Sequence, residues 1–186
     1  PMYQRKGVFT KIAKAAQDFY VRNFGIYRDL PWITIRFTAM YGPHSHWEGF
    51  CGEVIPRMIV HAMNGKPLVI FGDGAQIRDF VYAGDAVRAL LAMLEAPYSR
   101  GEIFNYSTIR ETTLREVAEI ICENFELDPA RWITHLPARP GDAPRIVCDN
   151  SKFRERFGFT PGTGIREGIG QTIEWFRSLP HPENML

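Results

Sequence analysis

The chain reads as an α/β protein with at least some parallel strand pairing, and three observations predict this. Short β-rich runs, such as residues 32–37 (WITIRF) and 102–106 (EIFNY), alternate with amphipathic helical stretches. The helical stretches stop at recognisable breakers, among them Asn64-Gly65, Pro97 and Gly158. With 186 residues, 45% apolar and 23% charged, the chain is long enough for a real core and has an ordinary globular composition.

The elements follow in order. Val8, Phe9, Ile12, Ala16, Phe19, Tyr20 and Phe24 recur at helical spacing, predicting a helix over 5–24 that Gly25 ends. Strand 32–37 leads into the turn Tyr41-Gly42-Pro43. A helix is expected over 52–64 and a strand over 68–71, which enters the glycine turn at 72–74. Asp85 is the expected N-cap of the helix AVRALLAMLEA. After the strand at 102–106, Thr113-Leu-Arg-Glu116 has capping-box spacing and opens a helix to about Phe125. A strand is expected near 132–135. Ser151 is read as the cap of a short helix ending at Gly158, and a last amphipathic helix covers 164–177.

Net charge is +1 with no basic block, so nothing argues for nucleic acid as the main partner. No apolar run approaches membrane-spanning length. Cys51, Cys122 and Cys148 are odd in number and form no CxxC pair, which points to reduced thiols in a cytoplasmic protein. Pro1 before Met2 reads as a tag residue, with Met2 a start or a boundary.

The stretch GDGAQIRDFVYAGD (72–85) sets Arg78 just after a glycine turn. A guanidinium there can fork two phosphate oxygens, or it can make a local salt bridge to Asp79 or clamp a carbonyl. Arg139 lies on the rigid turn Ala138-Arg139-Pro140-Gly141-Asp142, where Asp142 can orient it. Asn105, at a strand end, can read a ribose or base edge, or bond its own turn. His44 and His46 near Cys51 invite a metal reading, but no second cluster completes a site. No nucleophile-elbow pattern supports a hydrolase.

In order and spacing, these pieces resemble the extended short-chain dehydrogenases that act on nucleotide sugars, the NAD-dependent NDP-sugar epimerases and dehydratases. The matching text runs from Arg36-x-x-x-x-Tyr41-Gly42-Pro43 through Gly52-Glu53-Val54-Ile55-Pro56. It continues in Gly65-Lys66-Pro67-Leu68-x-Ile70-Phe71-Gly72-x-Gly74-x-Gln76-x-Arg78-Asp79-Phe80-Val81-Tyr82, Asp85 and Phe104-Asn105. Arg139-Pro140-Gly141-Asp142, Asp149-x-Ser151-Lys152, Phe157-Gly158-Phe159-x-Pro161, Glu167-Gly168 and Thr172-Ile173-x-Trp175 complete it. The resemblance covers residues 20–178.

The resemblance implies that Arg78 and Arg139 grip a diphosphate and that Asn105 touches the nucleoside. Segment 53–56, with Val54, and the strand carrying Val69 and Phe71 then wall the base pocket, with Tyr41 among the substrate residues. It also implies NAD(P) for the complete enzyme, bound by a Rossmann half with a glycine-rich turn. No G-x-G-x-x-G follows a strand here, and such a half needs ~150 residues before the first helix. The expectation is therefore an incomplete Rossmann-like fold, truncated to its C-terminal substrate-binding lobe, with the cofactor half absent and no cofactor held by this chain alone. Residues 1–50 would supply the last Rossmann-type helix and strand, and 51–186 the nucleotide-sugar lobe.

The family's catalytic Tyr-x-x-x-Lys finds weak counterparts in Tyr3 and Lys6, one residue too close. A second register places Lys6 and Thr10 on the pair, with Lys11 one place off. Ala39 stands where the family often has asparagine. The function expected is the substrate-binding portion of an epimerase or dehydratase, inactive alone; the alternatives are a non-catalytic nucleotide-binding module and a dimerising remnant scaffold. An apolar helix face and an open strand edge predict a homodimer or a separate chain carrying the Rossmann half.

Overall fold

A computed structural model describes residues 6–48, 53–96 and 101–180, with side chains from residue 12 onward. The chain opens with α1 (Lys6–Tyr27), β1 (Ile33–Phe37), β2 (Ala39–Tyr41), α2 (Val54–Met63) and β3 (Leu68–Phe71). Next come β4 (Ile77–Arg78), β5 (Phe80–Tyr82), α3 (Ala83–Glu95), β6 (Glu102–Tyr106), β7 (Thr112–Thr113) and α4 (Leu114–Asn124). The chain continues through α5 (Pro129–Trp132), β8 (Ile133–Leu136), β9 (Arg145–Ile146), α6 (Ser151–Phe157) and α7 (Ile165–Ser178).

Most pairing is parallel. β1 pairs β6 from Ile33↔Glu102 to Phe37↔Tyr106, β2 pairs β5, and β3 pairs β8. The short β4 lies between antiparallel β7 and parallel β9. One core is built by α2, α4, α7 and β3, where Ile59, Leu68, Ile121, Ile169 and Phe176 are fully buried. A second gathers Val81, Ala89, Phe104, Tyr106 and Phe153 between α3, β6 and α6.

The expectation of an incomplete fold is corrected here. Among the described residues, helices and strands follow one another and pack from Ile12 to Ser178. β1 is not a stranded remnant, because it has a full five-residue parallel partner in β6, with α3 packed beside it. α1 is tied to that sheet through an ion pair between Asp18 and Arg36 and through Gly25 against Trp32.

Local departures have clear causes. α1 runs through Gly25 to Tyr27, because at Gly25 the missing side chain leaves room for the Trp32 ring. Asp85 does not cap α3; Tyr82 holds that position, and buried Asp85 pairs with Arg88 and accepts from Thr163 N–H at 2.9 Å. Asn150, not Ser151, is the N-cap of α6, and Asp149 accepts from the Ser151 N–H at 2.9 Å. The capping box forms as expected, with Thr113 Oγ1 accepting from Glu116 N–H at 3.0 Å. Gly158 ends α6 at φ +76°.

Two faces of α1 differ in character. Lys14, Gln17, Asp18 and Val21 turn toward β1 and β2, whereas Ile12, Phe19, Tyr20 and Phe24 lie on the other side, exposed. No helix of the described residues is long and apolar enough to cross a membrane.

Candidate functional site

A cleft of about 880 Å³ opens between α1, the β1–β2 segment and the start of α2. Tyr41 and Val54 line it, together with Lys14, Asp18, Arg36, Thr38 and Glu53. The cleft runs along β1 and β2, from Thr34 to Tyr41.

Tyr41 is fully buried, its ring edge-on to Phe80 at 6.0 Å and to Tyr82 at 5.8 Å. Burial first, and then the Asp85 carboxylate, push its hydroxyl well above the ordinary tyrosine range. Burial and Asp85 also raise Tyr82. Tyr41 therefore stays protonated at neutral pH and lines the cleft as a neutral ring.

Val69 and Phe71 share one face of β3 while Leu68 and Ile70 bury the other. The Arg139 guanidinium stacks over Phe71, with its central carbon 3.7 Å from the ring centroid. Arg78, one turn of chain further, is largely covered, with 13% of its side chain exposed. Its Nη1 donates to the carbonyls of Ile77 and Ala143, each at 2.8 Å, and its Nη2 lies 2.5 Å from Asp142 Oδ1. The carbonyl clamp open in the sequence is thus formed, but its ion partner is Asp142, not Asp79. Asn105 Nδ2 donates to the Asp149 carbonyl at 3.3 Å. Arg78 and Phe71 meet segment 137–143, the first through Asp142 and Ala143 and the second through Arg139. Val69 lies two residues back on β3 opposite Thr134, and Tyr41 and Val54 line the cleft.

Asp79 faces the other way. Its buried carboxylate accepts from Ser107 Oγ, from Thr108 N–H at 2.9 Å and Oγ1–H at 2.6 Å, and from Ile109 N–H at 3.2 Å. It pins the turn after β6 beside the strand that carries Arg78.

Tyr3 lies outside the described residues; Lys6 opens α1, but its side chain is also outside them. The sequence reading missed Lys14. The available signal was its i, i+4 spacing to Asp18, which places both on the α1 face that meets Arg36. His44 packs on Trp175 at 4.6 Å, and among the described residues no three metal-ligating side chains converge.

The sequence profile of the NAD dependent epimerase/dehydratase family matches residues 11–106, more than half of the chain. The chain belongs to this epimerase/dehydratase family. The match starts within α1 and runs through β6, across the cofactor-proximal elements. It overturns the expectation of a portion confined to substrate binding and inactive alone, and with it the non-catalytic module and the remnant scaffold.

Among curated members, a dTDP-glucose 4,6-dehydratase of Neisseria gonorrhoeae is 36% identical over 174 residues, covering 88% of this chain and 49% of that protein. A trifunctional UDP-glucose 4,6-dehydratase/UDP-4-keto-6-deoxy-D-glucose 3,5-epimerase/UDP-4-keto-L-rhamnose-reductase of Arabidopsis thaliana is 32% identical over 188 residues, covering 93% and 27%. The chain thus spans about a quarter to a half of these relatives. A UDP-glucose 4-epimerase of Thermotoga maritima, solved with UDP-glucose, superposes with a TM-score of 0.81 at 31% identity over 89% of this chain and 52% of that one. The Thermus thermophilus UDP-glucose 4-epimerase complex with NAD gives 0.78 at 31% identity, over 90% and 53%. NAD is the cofactor of the epimerase/dehydratase family.

Helices α2, α3, α4 and α7 do not fit a dinucleotide's diphosphate. A helix start attracts phosphate through free N–H groups and its dipole, but these four carry Glu53, Asp85, Glu116 and Glu167 at or within the first turn. Arg139 lies over Phe71 of β3, and Arg78 of β4 is tied to the same segment by Asp142.

Proposed function

We propose that the chain binds a nucleotide sugar and takes part in NAD-dependent epimerase or dehydratase chemistry on it. The diphosphate engages Arg78 and Arg139, the base lies along Val69 and Phe71, and Asn105 reaches the nucleoside. The sugar occupies the cleft bounded by Tyr41 and Val54, where Lys14 supplies a cation. A positive charge beside a sugar hydroxyl favours its ionised form, which is the direction in which a carbinol must lose its proton on oxidation.

The observation that carries this reading is Arg139 of segment 137–143 stacked on Phe71, with Arg78 of β4 held to the same segment through Asp142 and Ala143. Arg139 already packs on Phe71 as a flat cation, and a base offers the same flat contact. Arg78 joins that loop through Asp142. Calorimetric titration with UDP, dTDP, GDP and CDP should show micromolar binding of at least one. Failure of all four to bind would refute the reading.

On the same reading, the apolar face of α1 is the seat of a second copy. Phe19, Tyr20 and Phe24 are 64%, 71% and 45% exposed, an unusual amount of aromatic surface for one helix. Sedimentation velocity should show a dimer; a monomer at tens of micromolar would contradict it.

A further inference from the structure

Thr38 Oγ1 and Asp18 Oδ1 are buried and find no hydrogen-bond partner among the described residues, and both residues line the cleft. A buried polar group without a partner destabilises the free protein, and a ligand that bonds it recovers that loss. The chain brings the two together. Side chains alternate along a strand, so Arg36 and Thr38 share one face of the β1–β2 segment. Phe37 turns to the other, edge-on to Tyr106 at 5.9 Å. Arg36 pairs with Oδ2 of Asp18 on α1, which leaves Oδ1 over. The backbone at Thr38 is held in place. Its N–H donates to the Tyr106 carbonyl at 3.4 Å, and Ala39 N–H donates to the Asp79 carbonyl at 3.1 Å. Residues two apart on a strand stand about 6.5 Å apart, close to the span that one hydroxyl bridges with two hydrogen bonds of about 2.8 Å each.

Chemistry then selects the ligand group. A carboxylate oxygen only accepts, whereas a threonine hydroxyl can donate. A phosphate oxygen would satisfy Thr38 but meet Asp18 as a like charge. An ammonium group would satisfy Asp18 but cannot accept from Thr38. A hydroxyl serves both, giving its hydrogen to Asp18 and a lone pair to Thr38. We infer that Thr38, with Asp18 beside it, reads a hydroxyl of the sugar ring. This rests on the nucleotide-sugar reading above and adds to it the residue that tells a sugar-bearing nucleotide from a bare diphosphate. Both oxygens are covered in the free protein, so the ligand gains the contact as Thr38 steps between staggered positions about χ1. Ala39 and Met40, the next two residues, bring no polar side chain to this wall.

The test compares wild type, Thr38→Val and Thr38→Ser in calorimetric titrations with UDP, UDP-glucose, dTDP and dTDP-glucose. Valine keeps the branched shape and removes the hydroxyl, whereas serine keeps the hydroxyl. Wild type should bind at least one sugar nucleotide more tightly than the matching diphosphate. Thr38→Val should lose about threefold to tenfold for that sugar nucleotide, the worth of one hydrogen bond, with the diphosphate unchanged. Thr38→Ser should stay within about twofold of wild type. Valine should also raise the midpoint of thermal unfolding, because it removes a buried hydroxyl that the free protein leaves unbonded. A lost sugar contact would then not be a folding defect. Sugar-nucleotide binding by Thr38→Val equal to wild type would overturn the inference. An equal loss for the diphosphate would overturn it too, because the hydroxyl would then belong to the ribose. If wild type binds a diphosphate but no sugar nucleotide more tightly, only the role of Thr38 falls. If wild type binds none of the nucleoside diphosphates or their sugars, the functional reading falls and the role of Thr38 with it.

Discussion

Asp79→Ala is expected to lower unfolding free energy by about 3–5 kcal/mol, measured by chemical denaturation. The carboxylate is completely buried and takes four hydrogen bonds, from Ser107, twice from Thr108, and from Ile109. Removing it leaves buried donors without acceptors, and each such loss costs about 1–3 kcal/mol. One of those donors belongs to Ile109, held at φ +60°. A β-branched residue is a genuine outlier in that region and persists only when its surroundings impose it. Asp79→Asn should fall between wild type and alanine, because the amide keeps one acceptor but turns its NH₂ toward other donors. A loss under 1 kcal/mol for alanine would mean that the turn after β6 is not fastened by this carboxylate.

Gly168→Ala is the second large effect, and its sign is diagnostic. In an ordinary helix, alanine in place of glycine stabilises by about 1 kcal/mol. Here a Cβ at position 168 would run into the Tyr41 hydroxyl and its ring carbon Cζ, the latter at 2.8 Å. Tyr41 cannot swing aside, since it is 1% exposed and wedged against Phe80 and Tyr82. Overpacking of this kind costs about 1–3 kcal/mol, so the substitution should destabilise despite the helix preference. It should also weaken nucleotide-sugar binding, because the strain falls on a tyrosine that lines the cleft. A Gly168→Ala protein as stable as wild type would show that α7 and Tyr41 do not meet as closely as described.

Much of the fold was legible because it rests on local signals. The Thr113–Glu116 capping box, the left-handed Gly158 stop and the β-rich runs at 33–37 and 102–106 are all decided within a few residues. What was not legible depends on contacts distant in sequence. Gly25 looks like a helix stop, yet it is an interior glycine because Trp32 packs onto it. Asp85 looks like a cap, yet it is claimed by Thr163 from the far end of the chain. β4, β7 and β9 are two residues each, too short for any periodicity to show.

The same division holds at the site. Arg78 and Arg139 stood out because fixed turns surround them, but the partner of Arg78 is 64 positions away and nothing local predicts it. Lys14 was hidden because both faces of α1 carry apolar residues, and only the packing of Asp18 against Arg36 shows which one meets the cleft.

The central claim is that the chain holds a nucleotide sugar by its diphosphate. The most direct measurement compares wild type with Arg78→Ala in calorimetric titrations with the nucleoside diphosphate that binds best. A charge-assisted contact to phosphate is worth about 1.5–3 kcal/mol, so the predicted result is a loss of affinity of about 10- to 150-fold. Undiminished binding by Arg78→Ala would contradict the account, because the diphosphate would then lie elsewhere.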